Sequence, residues 1–475
     1  MAGMERKVTE NPMISNILAE RYASSAMRKI WSREEKIRLE RKLWISMMKA
    51  QSKHGLNIKS EDISRYVKAV DSIDLASIDR RERESRHDVK ARIEEFNDLA
   101  GLELIHLGMT SRDLTENVEM VQIHDSLQLI REEIVGVLHI LAEKMKEHAD
   151  LVIVGRSHNV PAQLTTFGKR LATIAEELLF AFERLESLLG RLPVRGIRGP
   201  VGTAQDLHDL VGTESEVIER ELAQELGFSR VLDSTGQIYP RSIDFEVIST
   251  LVQLAAAPSS FATTVRLMSG AGLMSEGFKE GQVGSSAMPH KMNARSSERI
   301  NGLSVVLKGY LSMISEISGD QWNEGDVSCS VVRRVALPDA FFTLDGLLQT
   351  FYAVLNEMKV FSDAVNREIE VELPFTSTTR LLVEAVKRGQ GREEAHKVIQ
   401  RHALLAIEKS RSGAKHSFFA DLAADDEFPM TEAETLAVVS DFETLIGEAK
   451  NQVKRVTARI QSIEIQANFD FERIK

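Results

Sequence analysis

Residues 337–358 read LPDAFFTLDGLLQTFYAVLNEM, and their apolar side chains repeat every three or four positions. The repeat consists of Leu337, Phe341, Leu344, Leu348, Phe351, Leu355 and Met358. This spacing places the side chains on one face of an α-helix, which has about 3.6 residues per turn. At about 1.5 Å per residue, the stripe predicts a helix of ~30 Å or longer. Such a helix is typical of a long bundle.

The same spacing occurs in three other stretches of the chain. Apolar residues follow it over 123–141, 164–189 and 247–268, and the last stripe continues across Pro258. Because proline lacks the backbone N–H that a helix interior needs, we expect a kink at Pro258. Four or five long helices between about 113 and 362 predict an all-α fold with a central bundle. Shorter helices flank it, which suggests three helical domains: 1–112, 113–364 and 365–475.

The composition limits the class of protein. The chain has 475 residues, a formal charge of −11 and one cysteine, Cys329, which excludes an intrachain disulfide framework. No apolar run approaches the ~18 residues of a membrane span, and the first residues lack the apolar segment of a secretory signal. The acidic balance argues against nucleic-acid binding. We therefore expect a cytoplasmic protein without membrane or nucleic-acid partners. The histidines lack metal-ligand spacing, so no metal is expected.

Four segments interrupt the helical pattern with small, polar or glycine-rich residues, and such loops on a rigid scaffold often carry function. They are 106–113 (HLGMTSRD), 155–168 (GRSHNVPAQLTTFG), 196–205 (GIRGPVGTAQ) and 276–299 (EGFKEGQVGSSAMPHKMNARSSER). The segment 196–205 has the spacing of a weak dinucleotide fingerprint. We reject that interpretation because no strand is predicted before it.

Two of these segments leave a structural alternative open. Asp113 and Glu116 predict a capping box for a helix over 114–146, with Thr110 and Ser111 just ahead of it, where free amides favour an anion. An ordinary helix cap would have the same residues. His158 lies among small polar residues, which leaves a functional and a packed histidine equally open.

The segment 276–299 is the most informative. Gly277, Gly281 and Gly284 lie within eight residues between two helical stripes, which is typical of a mobile loop. Ser285, Lys291 and Asn293 then bring a hydroxyl, a cation and an amide donor within nine residues. These groups can hold a carboxylate while the hydroxyl acts as an acid or a base. A merely flexible connection is the alternative.

The run GSSAMPHKMN (284–293) resembles the signature loop G-S-S-x-M-P-x-K-x-N of the fumarase/aspartase superfamily. His290 resembles the version of this loop in the adenylosuccinate lyase family. Further segments similar to that family are ERYASSAM (20–27), RHD (86–88), HLGMTSRD, GRSHNVPAQLTTFGKR (155–170), STGQIYPRSID (234–244) and QWNEGDVSCSVVRR (321–334). The resemblance implies three all-helical domains, a homotetramer built around the central bundle, and sites shared between subunits.

The resemblance also implies a reaction. Fumarate would leave adenylosuccinate to give AMP, and leave the succinyl-carboxamide ribotide of purine synthesis, by β-elimination without a cofactor. Ser285 would be the general base, His158 the general acid and Glu298 the residue that orients His158. The residues implied to bind the nucleotide substrate are Arg21, Tyr22, Arg86, His87, Asp88, Thr110, Ser111, Gln237, Lys291, Asn293, Arg299, Ser330 and Arg334.

Three positions depart from the family pattern. Pro161 stands where many members have a second histidine, and Ser157 replaces the usual threonine. Gly325 occupies a place where many members have an arginine, so one expected substrate cation is missing. Arg333 or Arg334 could compensate for it.

Two other hypotheses stay open beside this one. The chain could be a superfamily relative with another substrate, such as a carboxymuconate cycloisomerase, but Arg21, Tyr22 and Arg334 would then have no phosphate to bind. It could also be a catalytically silent structural bundle. The intact catalytic set argues against that, because a silent descendant would be free to lose those residues.

Overall fold

The structure, a computed structural model of the chain, describes residues 15–277, 287–288, 290–464 and 471. Most of these residues are helical, and the described part of the chain contains only four short strands, which confirms the all-α prediction. The first helices lie beside the bundle: α1 (Ile17–Arg21), α2 (Ser25–Ile30), α3 (Arg33–Lys53), α4 (Ser60–Ala69), α5 (Leu75–Ser85) and α6 (Asp88–Ala100).

The middle of the chain forms the long bundle and its connections. In chain order these are α7 (Ser111–Glu147), β1 (Val152–Ser157), β2 (Val160–Thr166), α8 (Phe167–Arg191), α9 (Gln205–Val211), α10 (Ser215–Glu225), α11 (Ser242–Leu254), α12 (Ala256–Gly270), β3 (Met274–Ser275), α13 (Arg295–Ile317) and α14 (Cys329–Glu357). Strands β1 and β2 form an antiparallel hairpin between α7 and α8.

The last part of the chain starts with β4 (Lys359–Val360), which pairs antiparallel with β3. The helices that follow are α15 (Ser362–Thr376), α16 (Thr378–Lys387), α17 (Arg392–Arg411), α18 (Phe418–Ala423), α19 (Glu432–Ser440), α20 (Phe442–Leu445) and α21 (Ala449–Gln461). Helices α16–α19 enclose a small core of their own. Helix α21 instead packs against α7 and α8 and extends the core of the bundle.

The apolar stripes form the bundle core, as their spacing predicts. The seven residues of the 337–358 stripe are each 6% exposed or less. Burying one such side chain stabilises the fold by roughly 1.5–3 kcal/mol, so the stripes supply the main driving force for the bundle. A second core joins α3, α4 and α6 to the first turns of α7 and includes Ile197 and Ile218.

Helix α7 starts differently from the prediction. It begins at Ser111, and Asp113 Oδ2 accepts a hydrogen bond from the backbone N–H of the N-cap residue Thr110 at 2.7 Å. The capping box is therefore formed by Thr110 and Asp113, and the predicted box of Asp113 with Glu116 is wrong. Glu116 lies one turn further on, where its buried carboxylate pairs with Arg241.

One further expectation is corrected, and another is confirmed. Leu164 belongs to β2, and the segment around His158 is a β-hairpin rather than an open loop. The helical stripe across Pro258 is interrupted at Ala255, between α11 and α12, one turn before the proline, where its missing N–H predicts a kink. Pro258 falls in the first turn of α12, where its missing N–H costs no helical hydrogen bond.

The stretch Ser242–Gly270 is, among the described residues, the one helical segment long and apolar enough to cross a membrane by length and composition. However, 56% of the most apolar stretch within it is buried in the bundle, as in a core helix of a folded protein.

Buried ion pairs tie one end of the bundle together. They join Arg195 to Asp113, Arg241 to Glu116, and Arg333 to Asp244 and Glu119. Arg241 Nη2 donates to both Glu116 oxygens at 2.8 and 2.9 Å. Because an unpaired buried charge is costly, these pairs hold the loops 194–199 and 236–241 in register with α7.

Removing one member of this network should destabilise the protein strongly. We expect Arg241→Met to lower the free energy of unfolding by about 3–5 kcal/mol, because it leaves Glu116 buried without its main cation. The matched control is Arg33→Met, since Arg33 pairs with Asp79 where both side chains are more than 40% exposed; a change below about 1 kcal/mol is expected there. Urea denaturation followed by circular dichroism measures both, and equal losses would contradict the assignment.

Candidate active site

A cavity of about 760 Å³ lies where α12, β3 and the start of α13 meet. Lys291, Asn293 and Glu298, all predicted site residues, line it together with His290 and Glu276. The structure therefore brings the cation, the amide and the carboxylate of the segment 276–299 to one cavity. Ser285, the predicted base, lies outside the described residues.

Glu276 is a residue of this cavity that the sequence analysis quoted but did not assign. It is 5% exposed, and its carboxylate accepts hydrogen bonds from the backbone N–H groups of Ser296 and Ser297 and from the Ser297 hydroxyl, each at 2.9 Å. A carboxylate at a helix N-terminus is stabilised by the helix dipole. Glu276 thus fixes the start of α13, which carries Glu298. Twenty residues separate the partners, so no local pattern could have indicated the contact.

Arg21, Tyr22 and Arg299 form a cluster beside this cavity. The guanidinium carbon of Arg299 lies 5.6 Å from the centroid of the Tyr22 ring, and that of Arg21 lies 6.0 Å from it. Burial, with the nearby charge of Arg21, lowers the pKa of Arg299, which Glu276 partly opposes. Two cations around one aromatic ring form a suitable surface for an anionic group attached to a planar ring.

A second group of predicted residues lies at the end of the bundle where α7 and α14 begin. It comprises Thr110, Ser111, Gln237, Ser330 and Arg334. The Gln237 backbone N–H donates to the Glu324 carbonyl at 2.5 Å, which joins the loop 234–239 to the segment before α14. Thr110 and Ser111 lie at the helix N-terminus, as predicted.

Arg333 does not supply the cation missing at Gly325. Its guanidinium donates to Asp244 at 2.7 Å and to Glu119 at 2.6 Å, and it is 3% exposed. The expectation that Arg333 could compensate is therefore wrong, because its hydrogen bonds are used inside the bundle. Arg334 is exposed and stays the candidate.

The Arg86–Asp88 turn lies next to this second group. His87 is the N-cap of α6, where its Nδ1 accepts from the Lys90 backbone N–H at 3.2 Å, and Asp88 pairs with Arg92 at 3.1 Å. Arg86 has a left-handed backbone with φ of 55°. The charge of His87 acts on His106, four residues before Thr110, which shows that the two segments are close.

His158 lies elsewhere, at the tip of the β1–β2 hairpin. It and Asn159 have left-handed φ values of 52° and 62°, as a two-residue hairpin turn requires. The hairpin packs on α15 through an ion pair of Arg156 with Glu368 at 2.5 Å. His158 itself is exposed, which removes the alternative of a packed core histidine.

The second group does not meet the other two within one protomer. Helix α7 has 37 residues, so about 55 Å separate Thr110 at its start from the hairpin after its end. A six-residue strand could bridge only about 20 Å of that distance. Nineteen residues of helix α13 follow Glu298 and place about 29 Å between it and the loop before α14. One small substrate cannot touch all three groups on a single chain.

No group of three or more His, Cys, Asp or Glu side chains that could hold a metal ion occurs among the residues the structure describes. The predicted site residues offer hydroxyl, imidazole, amide, carboxylate and cationic groups. This set can bind a polyanionic substrate and move protons.

Comparisons with known proteins show which families the chain is similar to. The lyase family model matches residues 15–309, and a model of the adenylosuccinate lyase C-terminus matches 374–456. The chain is 32% identical to an adenylosuccinate lyase of Saccharomyces cerevisiae, with 92% of both chains covered. It is 29% identical to one of Archaeoglobus fulgidus, with 95% of this chain and 100% of the relative covered.

The fold is also found in solved structures. A 3-carboxy-cis,cis-muconate lactonizing enzyme from Pseudomonas putida superposes with a TM-score of 0.82 at 21% identity, covering 94% of this chain and 99% of its own. A fumarate lyase from Mesorhizobium sp. BNC1 gives 0.81 at 20% identity, covering 94% and 100%. At these identities the likeness concerns the fold alone.

His106 should remain neutral at physiological pH. Trp44 Nε1–H donates to its Nδ1 at 3.0 Å, and burial lowers its pKa from 6.5 to about 4. The unfolded chain binds this proton more readily than the folded protein does. The contribution of His106 to the free energy of unfolding should therefore increase as pH rises from about 4 to 6.5, and stay constant above that. Histidine ¹³C NMR, assigned with His106→Gln, measures the titration. A midpoint above pH 6 would contradict the expectation.

Proposed function

The chain belongs to the adenylosuccinate lyase family of the fumarase/aspartase superfamily, whose lyase reaction it catalyses, and we propose how its residues carry out that reaction. The C–N bond of adenylosuccinate breaks to give AMP and fumarate. We extend the proposal to the succinyl-carboxamide ribotide of purine synthesis, which carries the same succinyl group. The observation that carries the proposal is the cavity that Lys291, Asn293 and Glu298 line together.

The elimination requires a base, an acid and a site for negative charge. Ser285 removes a proton from the succinyl Cβ, the electron pair forms the C=C bond of fumarate, and the C–N bond breaks as His158 protonates the departing nitrogen. Removing a proton next to a carboxylate leaves a second negative charge on that group. Lys291 and Asn293 are suited to stabilise this charge. Glu298 orients His158 for this proton transfer.

Serine is a weak base, so its alkoxide needs support. Lys291 follows Ser285 closely in the chain, and a fixed cation in a cavity closed to water stabilises an alkoxide far more than it would in solvent. The proposed chemistry uses no cofactor or metal.

The remaining residues bind the ends of the substrate. The cluster of Arg21, Tyr22 and Arg299 binds the nucleotide phosphate and its surroundings. Thr110 and Ser111, at the N-terminus of α7, bind a carboxylate of the fumaryl end, because the free amides there favour an anion. The residues that complete the pocket are Arg86, His87, Asp88, Gln237, Ser330 and Arg334.

The active enzyme is a homotetramer with shared sites. The separation of about 29–55 Å between the second group and the other two supports this, because another protomer must supply what one chain places too far away. Apolar residues on the outer faces of α13 and α14 support it too: Val305 and Val331 are each 68% exposed, and Val335 is 45% exposed. Apolar faces of this kind mark protein interfaces. The buried, unpaired Cys329 is compatible with the proposed cytoplasmic location.

Purified protein should convert adenylosuccinate to equimolar AMP and fumarate, followed by chromatography. Ser285→Ala and His158→Gln should each lower kcat by at least about 10³-fold, because each removes a proton-transfer group. The tetramer should stay intact by light scattering.

Asn159→Gln is the matched control, since it changes the neighbouring side chain of the same hairpin tip and should retain activity within about tenfold. Substantial turnover by either catalytic variant would reject its assigned role. A folded tetramer without any products would reject the proposed reaction.

Shared sites predict complementation between two inactive variants. When Ser285→Ala and His158→Gln tetramers exchange subunits, some sites should receive Ser285 from one chain and His158 from another, and about a quarter of the activity should return. Exchange is verified by mass spectrometry of isotopically labelled chains. Proven exchange without any recovery would argue for sites within one subunit.

A further inference from the structure

Two carboxyl groups lie against each other in the core of the bundle, away from the cavity. Glu133 on α7 and Asp345 on α14 are both 0% exposed, and their side chains lie against each other. Ionised carboxylates only accept hydrogen bonds. A direct hydrogen bond between them therefore requires one shared proton.

The neighbours of the pair show where that proton lies. Gln349 Nε2 donates to Glu133 Oε1 at 2.6 Å, and the Ser24 backbone N–H donates to Asp345 Oδ2 at 2.5 Å. The other oxygens, Glu133 Oε2 and Asp345 Oδ1, are fully buried. We assign the proton to this second pair of oxygens.

Asp345 connects the pair to the segment that carries Arg21 and Tyr22. It accepts hydrogen bonds from both the backbone N–H and the hydroxyl of Ser24, the N-cap of α2. The next residue on α14, Gly346, packs directly against Tyr22. A Cβ atom at position 346 would lie 2.7 Å from the Tyr22 Cβ and 2.8 Å from the Tyr22 carbonyl oxygen. Asp345 and Gly346 together define where residues 21–24 rest on the bundle.

We propose that Asp345, held by the proton it shares with Glu133, is a positioning residue that fixes Arg21 and Tyr22 for substrate binding. The inference rests on the proposed function, which gives Arg21 and Tyr22 their role at the phosphate. The groups facing Asp345 are Glu133 from α7, Ser24 from the start of α2, and Gln349 from its own helix. Without the proton, two buried negative charges would face each other and the Ser24 contact would be strained.

Burial raises the pKa of Asp345, while the hydrogen bonds from Glu133 and Ser24 oppose the rise. The folded pair therefore keeps a proton at a pH where the unfolded chain has lost it. Its contribution to stability is complete below the unfolded pKa values and declines as pH rises. Glu133→Gln supplies a permanent donor of the same shape and should remove this decline.

The first test separates KM from kcat for adenylosuccinate. Asp345→Ala should raise KM by about tenfold and leave kcat within about threefold, and Asp345→Asn, whose oxygen can still accept from Ser24, should restore KM. Thr343→Val is the matched control, since Thr343 is a buried polar residue of α14 whose hydroxyl donates to the Asp339 carbonyl within the helix. An unchanged KM in a folded Asp345→Ala protein would overturn the proposal.

Two measurements need no turnover, so they distinguish failure of this inference from failure of the proposed function. Hydrogen exchange by mass spectrometry should be faster over 17–27 in Asp345→Ala than in the wild type or Thr343→Val. Between pH 5 and 8, the unfolding equilibrium constant of the wild type should increase relative to Glu133→Gln by up to about tenfold per pH unit. Unchanged hydrogen exchange over 17–27 in Asp345→Ala would overturn the positioning role. Parallel pH profiles of the unfolding constant in the wild type and Glu133→Gln would overturn the shared proton.

Discussion

The length of the bundle helices is the constraint on which the functional organisation depends. Helix α7 is built from 37 consecutive helical residues, and this rigid rod keeps the residues at its start about 55 Å from the hairpin beyond its end. Each group of candidate residues is well fixed locally, yet none of the groups contains all the residues of the proposed site. Association of bundles side by side is the simplest way to bring such groups together, because antiparallel rods place the end of one against the start of another.

Buried carboxylates hold both helices that lead into the site. Asp113 in the first turn of α7 accepts from the backbone N–H groups of Thr110, Arg198 and Gly199, and Glu276 accepts from those of Ser296 and Ser297 before α13 runs on. In each case a negative charge satisfies amide donors at a positive helix end. The site-bearing loops are therefore bound to rigid rods, which preorganises them without a ligand.

The long helices could be predicted from the sequence, because a stripe such as Leu337–Met358 has few physical solutions other than burial along one helix face. The hairpin at His158 could not, since its small polar residues have no clear strand period and β1 is stabilised by α15 more than 200 residues later. The contacts of Glu276 and Asp345 could not be predicted from the sequence either, because their partners are 20 and 321 residues away along the chain. Arg333 was misassigned because sequence shows a cation but not the carboxylates that already surround it.

The likeness to the structure of the 3-carboxy-cis,cis-muconate lactonizing enzyme does not weaken the lyase assignment. A TM-score of 0.82 at 21% identity shows that the same rods can support more than one chemistry. The substrates of these enzymes differ in the part of the molecule beyond the carboxylates. The residues that bind that part must therefore determine which substrate is accepted. In the proposed site that part is bound by Arg21, Tyr22 and Arg299, and a substrate without a phosphate would have no use for two cations around one aromatic ring. The shared proton that we propose for Glu133 and Asp345 belongs to the same specificity, because it would anchor Arg21 and Tyr22, the residues to which we assign recognition of the nucleotide.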